Sequence, residues 1–313
     1  MIDPMEQDRH AHAVGHSHAH AHLDYGRAFA IGIALNLVYV VAEAAAGLIS
    51  GSLALLADAG HNLGDVLSLS LAWGAAVLSR RRPSGRFTYG LRSSSILAAL
   101  ANAIILLVVT GGIAWEALGR LSRPVSVAAT IVIWVAAAGI LVNGVTALLF
   151  ASGSRRDLNL KTVFLHMAAD TLVTATVVAA GIAIALTGWL WLDPAVSLFV
   201  SAVIVFGTWG LMKSAIGLAL DAVPEGVDAA AVRALLLDIP GVIGLHDLHI
   251  WGMSTTETAL TCHLVIPRGH PGDAVLNGIA QQLHDRFGIH HATIQIELAD
   301  TDEVCVLTPE HVV

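Results

Sequence analysis

The stretch Ser52-Leu-Ala-Leu-Leu-Ala-Asp58-Ala-Gly-His61-Asn-Leu-Gly-Asp65-Val-Leu-Ser68 sets ionisable side chains into a run that is otherwise mostly apolar or small. Residues four apart stack on one face of an α-helix, so His61 and Asp65 present an imidazole and a carboxylate side by side. The same spacing returns in His166-Met-Ala-Ala-Asp170. Two such helices face to face offer two nitrogens and two oxygens. That donor set suits tetrahedral Zn²⁺, whereas Mg²⁺ and Ca²⁺ favour all-oxygen sites.

Outward from these pairs the chain reads as a polytopic α-helical membrane protein. Hydrophobic residues make up 56% of the 313 and charged residues 13%, with a mean hydropathy of +0.73, whereas about a quarter of a soluble domain is charged. About 20 apolar residues cross a bilayer core, and six transmembrane helices are expected: Arg27 to Ser50, Ser52 to Ser79, Ser93 to Leu118, Val125 to Phe150, Leu160 to Leu186 and Asp193 to Leu218. Gly51, Pro83 with Gly85, Pro124, Gly153, and Gly188 with Pro194 punctuate them. An Asp at the bilayer centre costs roughly 2.5–3.5 kcal/mol on insertion scales. A lone intramembrane His could be helix–helix glue. Four ionisable groups with one repeated spacing read instead as a functional site, with His61, Asp65, His166 and Asp170 as ligands. Asn36 and Glu43, seven apart on one face of the first span, and Asp58, one turn before His61, could line the pathway, orient the ligands or be purely structural.

Arg80, Arg81, Arg82, Arg86 and Arg92 occupy the second loop, Arg155, Arg156 and Lys161 the fourth, and Lys213 the end of the sixth span. The first and fifth loops have no basic residue and the third only Arg120 and Arg123. The positive-inside bias therefore predicts both termini in the cytoplasm. A formal charge of −8 without a basic stripe excludes nucleic acid as a partner. Two cysteines, Cys262 and Cys305, are too few for a disulfide framework and place the soluble part in a reducing compartment.

Four segments follow: a His-rich cytoplasmic tail over 1–26, the membrane domain over 27–220, a soluble domain over 221–300 and a tail over 301–313. The soluble domain reads as a small α+β unit of order αββαβ: a helix from Val227 to Asp238 stopped by Pro240-Gly241, strands from Val242 to Trp251 and Thr258 to Ile266, a helix from Asp273 to Phe287 and a strand from His291 to Leu298. This order can form one sheet with both helices on one face, and a domain this small gains from dimerisation or metal. His246, His263 and Glu297 fall on its strands and could converge at a sheet edge. In the first tail His10, His12, His16, His18, His20 and His22 recur mostly at every second residue. Such a tract packs no core and reads as weak, exchangeable zinc capture, with His16, His18, His20 and His22 as its ligands.

The run from Ser52 to Ser68, with His166 and Asp170, resembles the signature of the cation diffusion facilitator (cation efflux) family, zinc-transporting type. The resemblance extends over nearly the whole chain. It implies a homodimeric antiporter of the inner membrane that exports Zn²⁺, in some members Cd²⁺ or Co²⁺, in exchange for H⁺ by alternating access. His61, Asp65, His166 and Asp170 would form its transport site. Leu245-His246-Asp-Leu-His-Ile-Trp251, Cys262-His263-Leu and His290-His-Ala-Thr-Ile-Gln-Ile-Glu297 look like the zinc-binding segments of the family's cytoplasmic domain. The resemblance thus implies a regulatory Zn²⁺ held by His246, His263, His290 and Glu297. The chain departs from the family in three places. Arg80 to Gly90 has no Asp or His for the extra loop site of some bacterial members. Ala151 to Leu160 has no His, unlike vesicular animal members, and the tail has Cys305 without a second Cys beside it.

His supplies the exchange chemistry, since metal requires a neutral imidazole and a proton competes for the same nitrogen. A membrane zinc enzyme would need an open coordination position and a base, and no His-Glu-x-x-His motif is present. A zinc sensor signalling through the soluble domain is the other rival, distinguished by binding without flux. No enzyme activity is expected.

Overall fold

The computed structural model describes residues 25–79, 83–151, 158–298, 305 and 307. Its first part consists of six long helices: α1 (Tyr25–Ser50), α2 (Leu53–Ser79), α3 (Ser94–Ser122), α4 (Ala129–Ala151), α5 (Leu158–Thr187) and α6 (Leu192–Ala219). The residues quoted at the outset thus fall on α2 and their counterparts on α5. Among the described residues three helices combine the length and apolarity to cross a membrane, Ser94–Ser122, Leu165–Thr187 and Leu192–Ala219. The apolar stretches Asn36–Ser50 and Ala129–Gly144 are shorter, and α2 is broken chemically by Asp58, His61 and Asp65. Trp115, Trp134, Leu186 and Phe206 point outward and are largely exposed. Such a surface suits lipid rather than water.

The bundle packs α4 on α5, α3 on α6, and α2 against α1, α3 and α6. Its buried centre joins Ala54, Leu55 and Ala57 of α2 to Val132 and Ala136 of α4, Val177 of α5, and Val200 and Ile204 of α6. Small residues set the close approaches, as in membrane bundles generally. A Cβ on Gly64 of α2 would lie 2.9 Å from Leu106 of α3, and one on Gly47 of α1 would lie 2.8 Å from Leu56. Gly51 turns the chain between α1 and α2 at φ +71°, where a side chain would be strained.

The second part is α7 (Ala229–Leu237), β1 (Gly244–Gly252), β2 (Thr258–Val265), α8 (Asp273–Phe287) and β3 (Ile289–Glu297). Asp228 caps α7, its side chain accepting from the backbone N–H groups of Ala230 and Ala231 at 2.9 and 3.1 Å. The sheet order is β1-β2-β3, with β1 antiparallel and β3 parallel to β2. Val232 and Leu236 of α7 and Ile279 and Leu283 of α8 share one core with Leu245, Ile250, Leu260 and Leu264. Both helices therefore cover the same face of the sheet.

This domain touches the turn before α3. Arg92 pairs with Glu257 at 2.9 Å, Ser93 donates to the Met253 carbonyl at 3.3 Å, and the Thr255 N–H donates to Ser95 at 3.1 Å. The Tyr89 ring stands edge-on to His291 at 5.6 Å.

Candidate metal centres

Packing of α2 beside α5 brings the two His-x-x-x-Asp pairs together. His61 Nε2 lies 2.9 Å from Asp170 Oδ1. His166 Nε2 lies 3.4 Å from Asp65 Oδ1 and 3.6 Å from Asp170 Oδ2. Donor atoms of His61, Asp65 and Asp170 fall within 4.8 Å of one another, and the two imidazoles stand edge-on with centroids 6.3 Å apart. Each imidazole is thus held by a carboxylate of the opposite helix. Asp170 Oδ2 is buried with no hydrogen-bond partner, an arrangement that a cation between the helices would satisfy.

Behind this group runs a chain of buried polar contacts to α1. Glu43 is fully buried and accepts from Tyr39 Oη at 2.9 Å and from Asn62 Nδ2 at 3.0 Å. Asn62 adjoins His61 in sequence, so Glu43 braces the ligand-bearing turn of α2. Thr174 Oγ1 lies 3.3 Å from Asp58 Oδ1 and 3.0 Å from the Asp170 carbonyl, tying the two helices together one turn beyond the ligands. Glu43 and Asp58 therefore belong to the support of the site. Asn36 lies at the N-terminal end of the described part of this face, a turn before Tyr39.

In the C-terminal domain His246 and His263 are directly opposed in the β1-β2 register, with rings 5.1 Å apart. Glu297, at the end of β3, reaches both: Oε2 is 3.2 Å from His246 Nε2 and Oε1 is 2.8 Å from His263 Nδ1. Cys305 completes the group, its Sγ 3.7 Å from His263 Nδ1. One donor atom from each of the four lies within 4.8 Å of the others. His246 is only 9% exposed, and its Nε2 has no aligned hydrogen-bond partner. Two imidazoles, a carboxylate and a thiol around such a nitrogen fit Zn²⁺. Asp247, at φ 51° where β1 breaks register, lies beside them, 3.4 Å from His263 Nε2 and 2.8 Å from His249 Nε2.

Desolvation works to raise the Glu297 carboxyl, but the Cys305 thiol and the His246 and His263 imidazoles hold it below its ordinary range. The Leu307 backbone works to lower the Cys305 thiol, yet desolvation and the charges of Glu297 and Asp247 push it above its ordinary value. Burial, with Asp247 nearby, takes Cys262 up to about 12, which leaves that thiol inert.

His290 does not join this group. It is the second residue of β3 while Glu297 is the last, and seven strand residues span roughly 23 Å. Its ring packs instead on His284 at 5.1 Å. Cys305 stands where His290 was expected, and nothing in its spacing announced that. The tail histidines His16, His18, His20 and His22 lie outside the described residues.

The profile described as the cation efflux transmembrane domain matches residues 29–218, and that of the cation efflux protein cytoplasmic domain matches 224–299. The chain belongs to the cation efflux, or cation diffusion facilitator, family. It is 36% identical to the metal cation efflux system protein CzcD of Cupriavidus metallidurans over 278 residues, covering 88% of each chain. To the zinc transporter ZitB of Escherichia coli it is 36% identical over 271 residues, covering 86% of each. A Bacillus subtilis relative, 33% identical and covering 83% of this chain and 85% of its own, is named a cadmium, cobalt and zinc/H(+)-K(+) antiporter. Among solved structures, the metal-bound C-terminal domain of the C. metallidurans CzcD transporter matches 23% of this chain and all of its own length at 42% identity, with a TM-score of 0.22.

Proposed function

We propose that this chain exports Zn²⁺ from the cytoplasm across the inner membrane in exchange for protons, by alternating access within a homodimer. The observation that supports this reading is the gathering of His61, Asp65 and Asp170 donor atoms within 4.8 Å of one another between α2 and α5, with His166 alongside, 3.4 Å from Asp65 and 3.6 Å from Asp170. Zn²⁺ there is cargo. Two carboxylates balance its two charges, and each imidazole must release any proton it holds before it can ligate. Loading therefore expels protons and protonation unloads, which is the chemistry of an exchanger. The names of the relatives, zinc transporters and an antiporter among them, support the same reading, and Cd²⁺ and Co²⁺ are the next candidate substrates. Both termini lie in the cytoplasm on this reading, and α1 to α6 all span the bilayer.

The second group, His246, His263, Glu297 and Cys305, holds a resident Zn²⁺ that ties the C-terminal tail to the sheet and reports cytoplasmic zinc to the transporter. The contacts of this domain with the turn before α3 give it a route to the bundle. Reconstituted protein should take up Zn²⁺ under an imposed pH gradient, and Asp65→Ala should abolish uptake. Zinc binding with no gradient-dependent flux in the wild type would instead identify a sensor.

A further inference from the structure

We infer that Asp193 is the latch that keeps the membrane site closed toward the end of the bundle opposite the C-terminal domain. Asp193, the second residue of α6, is 2% exposed and spends its carboxylate on a different helix. It accepts from the backbone N–H of Leu53 at 2.8 Å and of Ala54 at 3.3 Å, and from the hydroxyl of Ser52. Ser52 in turn accepts from the N–H of Leu55 at 3.1 Å. The first-turn donors of α2, which no residue within the helix can satisfy, are thus taken up by an anion from α6 placed at the positive end of the α2 dipole. Two neighbouring contacts close the same end. Arg120 of α3 donates to the Gly51 carbonyl at 2.6 Å, and the Ala128 N–H before α4 donates to the Ser50 carbonyl at 2.9 Å.

What lies between this clamp and the ligands is dry. Ala54 and Ala57 precede His61 by seven and four residues, so they continue the ligand face of α2 toward the clamp. Both are buried, with Leu55, Val177, Val200 and Ile204 around them. Exposure then rises along the site in the other direction. The side chains nearer the clamp, Asp170 and His61, are 5% and 17% exposed, and those farther away, Asp65 and His166, are 29% and 48% exposed. The ligands begin about 12 Å from the clamp, eight helical residues on from Leu53. Among the described residues the site is buried toward the Asp193 end and more exposed away from it. Passage through the buried end requires α2 and α6 to part there, and the Asp193 hydrogen bonds are the polar contacts that must break.

The purpose of the latch rests on the transport reading, but its test does not. Ala57→Cys places a thiol on the dry ligand face. A membrane-impermeant maleimide is applied to each face of vesicles in turn, without zinc or a pH gradient, and labelling is read on the peptide containing position 57. From the face opposite the C-terminal domain, Ala57→Cys alone should stay unlabelled. Addition of Asp193→Asn should raise labelling from that face roughly tenfold or more, the population change expected on losing a charged hydrogen bond, and Ser52→Ala should raise it less. Monodispersity and a wild-type-like thermal unfolding transition of the full chain in detergent check that each variant is folded, and Ser52→Ala carries the test where Asp193→Asn is not. Unchanged labelling in the folded variants, or an equal rise from both faces, overturns the latch. Failure of zinc export with the labelling pattern intact overturns only the transport reading.

Discussion

His61 Nε2 on α2 and Asp170 Oδ1 on α5 stand 2.9 Å apart, although 109 positions separate them in the chain. Each helix supplies a His and an Asp, but the close pairing is across helices, so both must be in place before either pair is a site. His61→Ala and Asp170→Ala should each weaken zinc binding by the bundle at least tenfold, since even the loss of a partner outside the ligand shell costs about 10–100-fold in affinity. Both should abolish zinc flux. Titration should still find the C-terminal site intact in both variants, because that group is built on β1, β2 and β3 and the residues after them, not on α2 or α5. Wild-type flux in His61→Ala would remove this residue from the site.

Proton competition at the two imidazoles gives a pH dependence of fixed sign. An unperturbed His titrates near 6.5, and Zn²⁺ binds only the neutral ring. Affinity should therefore fall as pH is lowered through the imidazole range and level off above it. In a His61→Ala, His166→Ala double variant any residual binding should lose this dependence. Titration calorimetry in buffers of different ionisation enthalpy counts the protons released, and a wild-type count of zero would exclude exchange at this site.

Glu43 supports the ligand turn from α1, and its replacement separates positioning from ligation. Glu43→Ala removes the acceptor of the buried Asn62 amide, at a cost of roughly 1–3 kcal/mol for a group left unsatisfied, and leaves Tyr39 with only its longer contact to the Val135 carbonyl at 3.4 Å. Thermal unfolding in detergent should shift down accordingly, with zinc affinity falling less than in His61→Ala. Glu43→Gln keeps one acceptor oxygen and should recover part of the stability. Equal stability of Glu43→Ala and the wild type would show that water replaces the carboxylate.

The spacing in α2 and α5 made the membrane ligands legible because a helix converts a four-residue interval into a shared face, whatever the tertiary structure. The strands around His246, His263 and Glu297 were legible for a similar reason, as runs of β-branched and apolar residues between turns. What spacing could not show is where β3 begins and ends relative to β2. The parallel register puts Glu297 opposite Val265, near His263, and Ile289 opposite Thr258, so His290 falls at the far end of the sheet from the ligand group. Cys305 and Asp193 were hidden for another reason. Each acts on an element distant in sequence, and a single Cys after a strand or a single Asp before a proline carries no local signature. Hydropathy, in turn, marks α3, α5 and α6 plainly but is blunted in α2, where the functional residues themselves interrupt the apolar run.

Cys305 gives the C-terminal site a soft donor, and two consequences distinguish it from an all-imidazole and carboxylate site. Thiolate favours softer metals, so Cys305→Ser should lower affinity for Cd²⁺ more than for Zn²⁺, and for Zn²⁺ by at least roughly tenfold on the same comparison with outer-shell losses. The second consequence is protonic. Glu297 and Asp247 hold the metal-free thiol above its ordinary value, so at neutral pH it carries its proton and Zn²⁺ must displace it. Binding to the wild-type site should therefore release one proton more than binding to Cys305→Ser. Its affinity should keep rising with pH after the imidazoles are neutral, where that of Cys305→Ser levels off. The measurement is made in a His61→Ala, Asp170→Ala background, which removes the membrane site, and any binding by the tail histidines is the same with and without Cys305 and cancels in the comparison. Identical proton release and identical metal preference with and without the thiol would show that Cys305 lies beside the metal without binding it.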